Sequence, residues 1–460
     1  MRPDGSKGAG HTARMPTSAP LPRRRLLAAG GAAALTGLDA AAHPARAATP
    51  TNDPATTAPP ANDPATTAPP ANDPVAPQLR AVWIATVRNL DWPSRPGLAP
   101  EQQQAELLAL LDSAVERRLN AVMLQVRSLA DALWPSPHEP WAACLTGVQG
   151  RDPGWDPLDF AVREAHRRDL ELHAWFNPYR IALTPDPTEL VPWHPARLHP
   201  EWVVRYGDSL LYDPGLPEVR GFVQDAMLDA VARYDVDGVH WDDYFYPYPI
   251  SGRVFDDDAA FLRHGGGFTD RAAWRRDNVD RLVRGTAERI AGLNRAPVTG
   301  SGRPRRPVRF GISPFGIWRN RRSDPLGSDT SGTASYDDLY ADTRGWVRNE
   351  WIDYVAPQLY WYLGQPGSDY AKLAPWWAEV VRGTRTRLYV GEALYQQSAS
   401  AQSAAWRDPA ELSRHLALTR DLPEVAGHLF FSARDVASDP TGAMRQVVTD
   451  HYPTRVRAPR

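Results

Sequence analysis

From residue 79 onward, short runs of β-branched, aromatic and aliphatic residues alternate with longer stretches whose apolar positions recur every three or four residues. The short runs fall at 81–87 (AVWIATV), 121–127 (AVMLQVR), 171–177 (ELHAWFN), 238–242, 308–313 (VRFGIS), 354–360 (YVAPQLY), 387–393 (RLYVGEA) and 428–432 (HLFFS). The helix-like stretches are 101–120, 158–168, 218–234, 271–294, 339–350, 375–382, 409–420 and 441–452. In the first, Leu107, Leu108, Leu111, Val115 and Leu119 lie at helical spacing; Asp156 and Pro157 make an N-cap and first-turn pair for the second.

Strands separated by helices have to pair in parallel through right-handed crossovers. Eight such units predict an α/β fold: a (β/α)8 TIM barrel with enlarged βα loops, over residues 79–455. A doubly wound open sheet is the runner-up, but it calls for a Gly-rich phosphate loop after the first strand, and none occurs here.

Residues 1–78 carry no such pattern. Arg23, Arg24 and Arg25 precede Leu26, Leu27 and an Ala/Gly-rich run that ends in the cleavable Ala45-Arg46-Ala47. Residues 1–47 therefore read as an export signal of the twin-arginine type, too short and Gly-rich to stay in a bilayer. The decapeptide NDPATTAPPA then occurs twice in tandem, and its Pro, Thr and Ala cannot bury a core, so residues 48–78 are expected to be a disordered linker. The expected localisation is secreted or in the cell envelope, with no transmembrane anchor left in the mature chain.

Composition narrows the picture further. The chain has 460 residues, 42% of them hydrophobic, enough for a sizeable core, and a net charge of −2 that gives no reason to expect nucleic acid as a partner. Its single cysteine, Cys144, excludes an internal disulfide and is expected to be a buried, inert thiol. The 17 tryptophans suit a cleft for flat apolar ligand faces such as sugar rings, although core packing accounts for many of them.

In a barrel, function sits at the C-terminal strand ends. Those ends carry Thr86, Arg88 and Asn89; Gln125 and Arg127; Asn177, Tyr179 and Arg180; Asp242, Asp243 and Tyr244; Ser313 and Trp318. The last three strands add Gln358, Tyr360 and Trp361; Glu392 and Tyr395; and Ser432, Arg434 and Asp435. Amides, carboxylates and aromatics on one rim point to a sugar cleft rather than to a nicotinamide or phosphate site. No cofactor is expected.

The fourth strand sharpens this. Val239 and Trp241 are apolar, whereas His240 and Asp242 share the opposite parity, so the latter two face the barrel interior with Asp242 at the mouth. Asp243 follows where the strand ends, and Asp237 starts it as a turn or cap residue. Glycoside cleavage needs an acid for the leaving oxygen and a carboxylate for the anomeric centre. The catalytic candidates are Asp242, Asp243 and Glu392, the only other strand-end glutamate. Two adjacent aspartates also fit substrate assistance, in which an acetamido oxygen attacks and a carboxylate orients it. Candidate substrate-binding residues are Gln125, Arg127, Asn177, Tyr179, Arg180, His240, Tyr244, Gln358, Tyr360 and Trp361. Within that set, His240 reads as an interior residue that orients Asp242. No H-x-H or H-E-x-x-H occurs, so no metal site is expected and a metal-dependent deacetylase is a distant alternative.

Four ordered motifs, AVWIATVRNLDWPS, AWFNPYR, YDPGLPEVR and YDVDGVHWDDYFYPYP, resemble glycosyl hydrolase-like family ten, over about Arg80 to Tyr452. The resemblance implies a TIM-barrel glycosidase acting on peptidoglycan glycan strands stripped of stem peptides, with division-site proteins as partners. The family's Asp-Asp-Tyr motif falls on Asp242, Asp243 and Tyr244, and its Asn-Pro-Tyr-Arg motif on residues 177–180. Glu392 belongs to neither. A catalytically silent glycan-binding barrel is the competing reading.

Overall fold

The computed structural model describes residues 77–295, 306–399 and 403–459. The expected export signal, and the expected linker up to residue 76, lie outside them. Eight strands alternate with helices: β1 (Leu79–Ile84), β2 (Ala121–Arg127), β3 (Glu171–Phe176), β4 (Gly238–Trp241), β5 (Arg309–Ile312), β6 (Tyr354–Val355), β7 (Arg387–Glu392) and β8 (Val425–Phe430). Each pairs in parallel with its neighbour, and β8 returns to β1 through Leu79↔Gly427 and Val82↔Phe430, closing the barrel. The outer helices are α1 (Pro100–Glu116), α2 (Pro157–His166), α3 (Pro217–Arg233), α4 (Arg271–Arg295), α5 (Thr343–Arg348), α6 (Tyr370–Val381), α7 (Glu411–Arg420) and α8 (Ala443–His451).

Strand parity builds two cores. Leu79, Ala81, Trp83, Met123, Trp175, Tyr354 and Tyr389 fill the barrel, while Val122, Leu124, Val239, Trp241, Leu388 and Val390 pack outward against the helices. Because both strand faces are covered, the strands are apolar on both sides. At the N-terminal end, Arg309 pairs with Glu171 and lies 3.1 Å from His173 Nε2. The stretch after α8 crosses this closed end: Arg80 donates to the Thr454 carbonyl (2.7 Å), Asn120 to Val456 (3.2 Å) and Arg309 to Pro459 (2.8 Å). Asp237 sits here as well, taking Leu172 N–H at 2.9 Å and lying 2.8 Å from His166 Nε2.

Element ends depart from the sequence pattern where proline or capping intervenes. β6 stops at Val355 because Pro357 has no N–H to give the ladder; beyond it Gln358 makes only isolated bridges to Phe315 and Gly391. Helix α6 begins at Tyr370, capped by the Asp369 carboxylate on Ala371 N–H (2.9 Å), and so holds Pro375 inside it rather than at its start. Asp156 caps α2 on Asp159 N–H (3.0 Å) with Pro157 following, as its sequence predicts. The β3–α3 connection hides an antiparallel sheet of Arg180–Ala182, Ser209–Tyr212 and Val203–Tyr206, which the proline-rich sequence there does not suggest.

Candidate active site

Asp242 and Asp243 follow β4 at the C-terminal mouth of the barrel, and each is 4% exposed. Asp242 Oδ2 accepts from Trp175 Nε1 (3.1 Å) and from Asn177 Nδ2, and its Oδ1 from the Tyr244 N–H (3.4 Å). Burial raises the pKa of this carboxyl, while the Arg180 cation and these donors pull it back down. Asp243 accepts from the Tyr248 hydroxyl and faces the Gln358 amide. Burial and then the charge of Asp242 push its carboxyl up to about 7. Two adjoining acids cannot both ionise cheaply, so the one with the cation and the indole and amide donors takes the charge and the other keeps the proton.

Asp242 is fixed from behind by a relay of amides. The backbone N–H groups of Thr86 (3.0 Å) and Val87 (2.9 Å) hold Gln125 Oε1. Gln125 Nε2 donates to Asn177 Oδ1 (2.7 Å), which also receives Arg180 Nη2 (2.9 Å). The carbonyl orientation forces the Asn177 NH2 toward Asp242. Arg180 in turn lies 4.6 Å over the Tyr244 ring. Gln358, Tyr360 and Trp361 are half-buried along the β6 side of the mouth, where Tyr360 meets Tyr395 and Trp361 packs edge-on to Phe315.

Several sequence candidates do not reach this opening. Glu392 shares parity with Leu388 and Val390, so it points into the helix layer, fully buried. There it takes Tyr370 Oη (2.8 Å) and lies 2.9 Å from both His415 Nδ1 and His428 Nδ1. Burial alone would raise its carboxyl, but the two histidines outweigh that and hold it down at about 2. Arg127 is spent on a bidentate pair with Glu139, both contacts 2.6 Å, and on the carbonyls of Asn177 and Pro178. Tyr179 is fully buried within the hydrophobic core, its hydroxyl without a hydrogen-bond partner among the described residues. Gln125 is likewise closed off by the relay.

His240 lies one layer beneath the aspartates. Trp83 Nε1 donates to its Nε2 (2.9 Å), so the ring's proton sits on Nδ1 and points to Tyr354 Oη (2.9 Å). Burial and the neighbouring His173 hold its pKa well below the ordinary value, so the ring is neutral. It reaches Asp242 only through Trp175, whose ring it meets edge-on at 6.5 Å.

Sequence reasoning missed four residues that shape the site. Trp175 shares the parity of Asn177 and was legible on that ground; Tyr248 sits within the aromatic run after the aspartates. Glu139 and Asp91 lie in loops where no period reveals a partner. Asp91 joins the two ends of the barrel seam, accepting from Ala85 N (2.8 Å) and Ser432 Oγ (2.6 Å), and burial pushes its carboxyl up to about 6. Cys144 is half-buried, and desolvation raises its thiol pKa. Among the described residues no group of three or more His, Cys, Asp or Glu side chains is placed to hold a metal ion.

A closed (β/α)8 barrel with a buried aspartate pair at its mouth places the protein among the glycoside hydrolase-like barrels. The profile of glycosyl hydrolase-like 10 matches residues 78–408, and the chain belongs to that family. It is 46% identical to the glycosyl hydrolase YngK of Bacillus subtilis (strain 168) over 378 residues, covering 82% of this chain and 72% of that one. It is 39% identical to the glycosyl hydrolase DigH of Escherichia coli (strain K12) over 373 residues, 77% of this chain and 82% of that one. Among solved structures, the PgaB (BpsB) glycoside hydrolase domain from Bordetella bronchiseptica shares the fold at 14% identity, with a TM-score of 0.50 over 81% of this chain and 98% of that one.

Proposed function

We propose that the protein is an exported glycoside hydrolase that cuts peptidoglycan glycan strands freed of their stem peptides. The observation that carries this reading is the division within the pair: Asp243 carries a proton near neutrality, and Asp242 is braced as an anion beside it. Asp243 gives its proton to the leaving glycosidic oxygen as the bond to the anomeric carbon breaks. On an N-acetylated sugar the acetamido oxygen closes on that carbon, with Asp242 orienting the amide and stabilising its developing positive charge. Water then opens the ring, returning its proton to Asp243. Tyr244, Gln358, Tyr360 and Trp361 border the sugar at this step, and Arg180 steadies Asp242.

The twin-arginine-like leader carries the chain out of the cell, where its polymer lies and where division-site proteins are its neighbours. The test is mass spectrometry of products from defined glycan strands with and without peptides. Wild type is expected to release new chain ends from the peptide-free strands, and Asp243→Asn to lose about 10²–10⁴-fold in rate. Binding of the strands without any cleavage by wild type replaces this reading with that of a silent glycan-binding barrel.

A further inference from the structure

Beside the mouth, on the β2 and β3 loops, lies a second recess of about 230 Å³, lined by Ser136, His138, Glu139, Trp141, Gly150 and Trp193 among others. Trp193 is 58% exposed, yet its ring has a built seat. Gly150 has φ +77°, and a Cβ there would stand 2.8 Å from the indole, so only glycine lets the ring lie against this backbone. The seat is tied down: Gly150 N–H donates to the Trp141 carbonyl (2.8 Å), and Val191 N–H to the Gln149 amide oxygen (3.1 Å). The next residue, His194, is buried with Nε2 3.0 Å from the Ala130 carbonyl and Nδ1 accepting Ala196 N–H at 3.0 Å. A large apolar face is thus held open to solvent rather than folded away.

The polar groups around it suit a neutral hydroxylated ligand. The Glu139 charge is cancelled by Arg127, so the recess presents no net charge to an ionic one. The indole N–H groups of Trp141 and Trp193 and the ring nitrogens of His138 take no hydrogen-bond partner among the described residues. An aromatic face flanked by free donors and acceptors matches the apolar face and hydroxyl rim of a sugar ring. The recess is also tied to the aspartate site through bonded side chains. Glu139 lines it and clamps Arg127, Arg127 holds the carbonyls of Asn177 and Pro178, and Asn177 holds Asp242.

We propose that this recess is a distal subsite, resting on the reading of the site above, where a later sugar of the same glycan strand stacks on Trp193 while the scissile bond lies at the aspartates. It selects long strands over short ones and adds nothing to the chemical step. The test is calorimetric titration of the Asp243→Asn protein, in which cleavage is slowed about 10²–10⁴-fold, with a long peptide-free strand and with a trisaccharide of the same sugars. Adding Trp193→Ala is expected to weaken the long strand about tenfold and the trisaccharide by less than about twofold. Trp193→Phe, which keeps an aromatic face, is expected to recover part of the loss and controls for folding. Equal affinity for the long strand with and without Trp193, or equal weakening of both ligands, overturns the subsite while leaving the hydrolase reading intact. If the Asp243→Asn protein binds neither ligand and wild type cuts neither, the hydrolase reading itself fails and the subsite falls with it.

Discussion

Two clusters of buried carboxylates follow neighbouring rules to opposite ends. Asp242 and Asp243 stand at the mouth, where burial outweighs the single cation of Arg180, and their carboxyls are pushed up. Glu392 ends another barrel strand, yet it faces the helix layer, meets two histidines and a tyrosine, and is pushed down to about 2. Both are desolvated to a similar degree. The supply of partners decides which becomes a proton donor and which a fixed anion, and a one-residue change of parity decides the supply. Burial of an acid is therefore no guide to chemistry until its partners are counted.

The sharpest way to break this comparison is Glu392→Gln. Leaving His415 and His428 without their anion is expected to cost about 3–5 kcal/mol of stability, read by denaturant unfolding, with the rate per folded molecule near wild type. A loss of rate on the scale of Asp243→Asn in folded protein sinks the contrast. The same cluster has a pH signature. With the folded carboxyl held at about 2, its contribution is complete above the ordinary glutamate value of about 4.3 and is lost as pH falls toward about 2.

A smaller effect tests the relay. Gln125→Met removes the donor to Asn177 Oδ1 and leaves two backbone N–H groups unpaired, freeing the Asn177 amide to turn from Asp242. A fall of about tenfold in kcat with little change in KM is expected; a change in KM alone means that Gln125 does not position Asp242. Smallest is the pH profile. The rate is expected to decline as pH rises through about 7, where Asp243 gives up its proton. Tyr248→Phe deletes a hydrogen bond that favours the ionised form, so that limb moves to higher pH by a fraction of a unit. A downward shift reverses the assigned sense of the Tyr248 contact.

The barrel was legible because eight short apolar runs alternate with stretches of helical spacing, and short errors at element ends cannot undo a count of units. The aspartate pair was legible because polar and apolar residues alternate on β4. On β7 the same reasoning had nothing to grip: Leu388, Tyr389 and Val390 are all apolar, as a strand covered on both faces requires, so parity could not tell Glu392 which way to turn. Arg127 and Tyr179 failed for another reason. Their positions at strand ends were right, but Arg127 is taken up by Glu139, which comes from a loop whose folding leaves no periodic trace, and Tyr179 is drawn into the core. The antiparallel sheet around Arg180 escaped on the same ground.

The carbonyls of Thr454, Val456 and Pro459 anchor the final described stretch across the end of the barrel opposite the aspartates. A reporter, affinity handle or solid support attached beyond Pro459 leaves from that closed end. Molecules tethered this way present every cleft outward, toward polymer in solution.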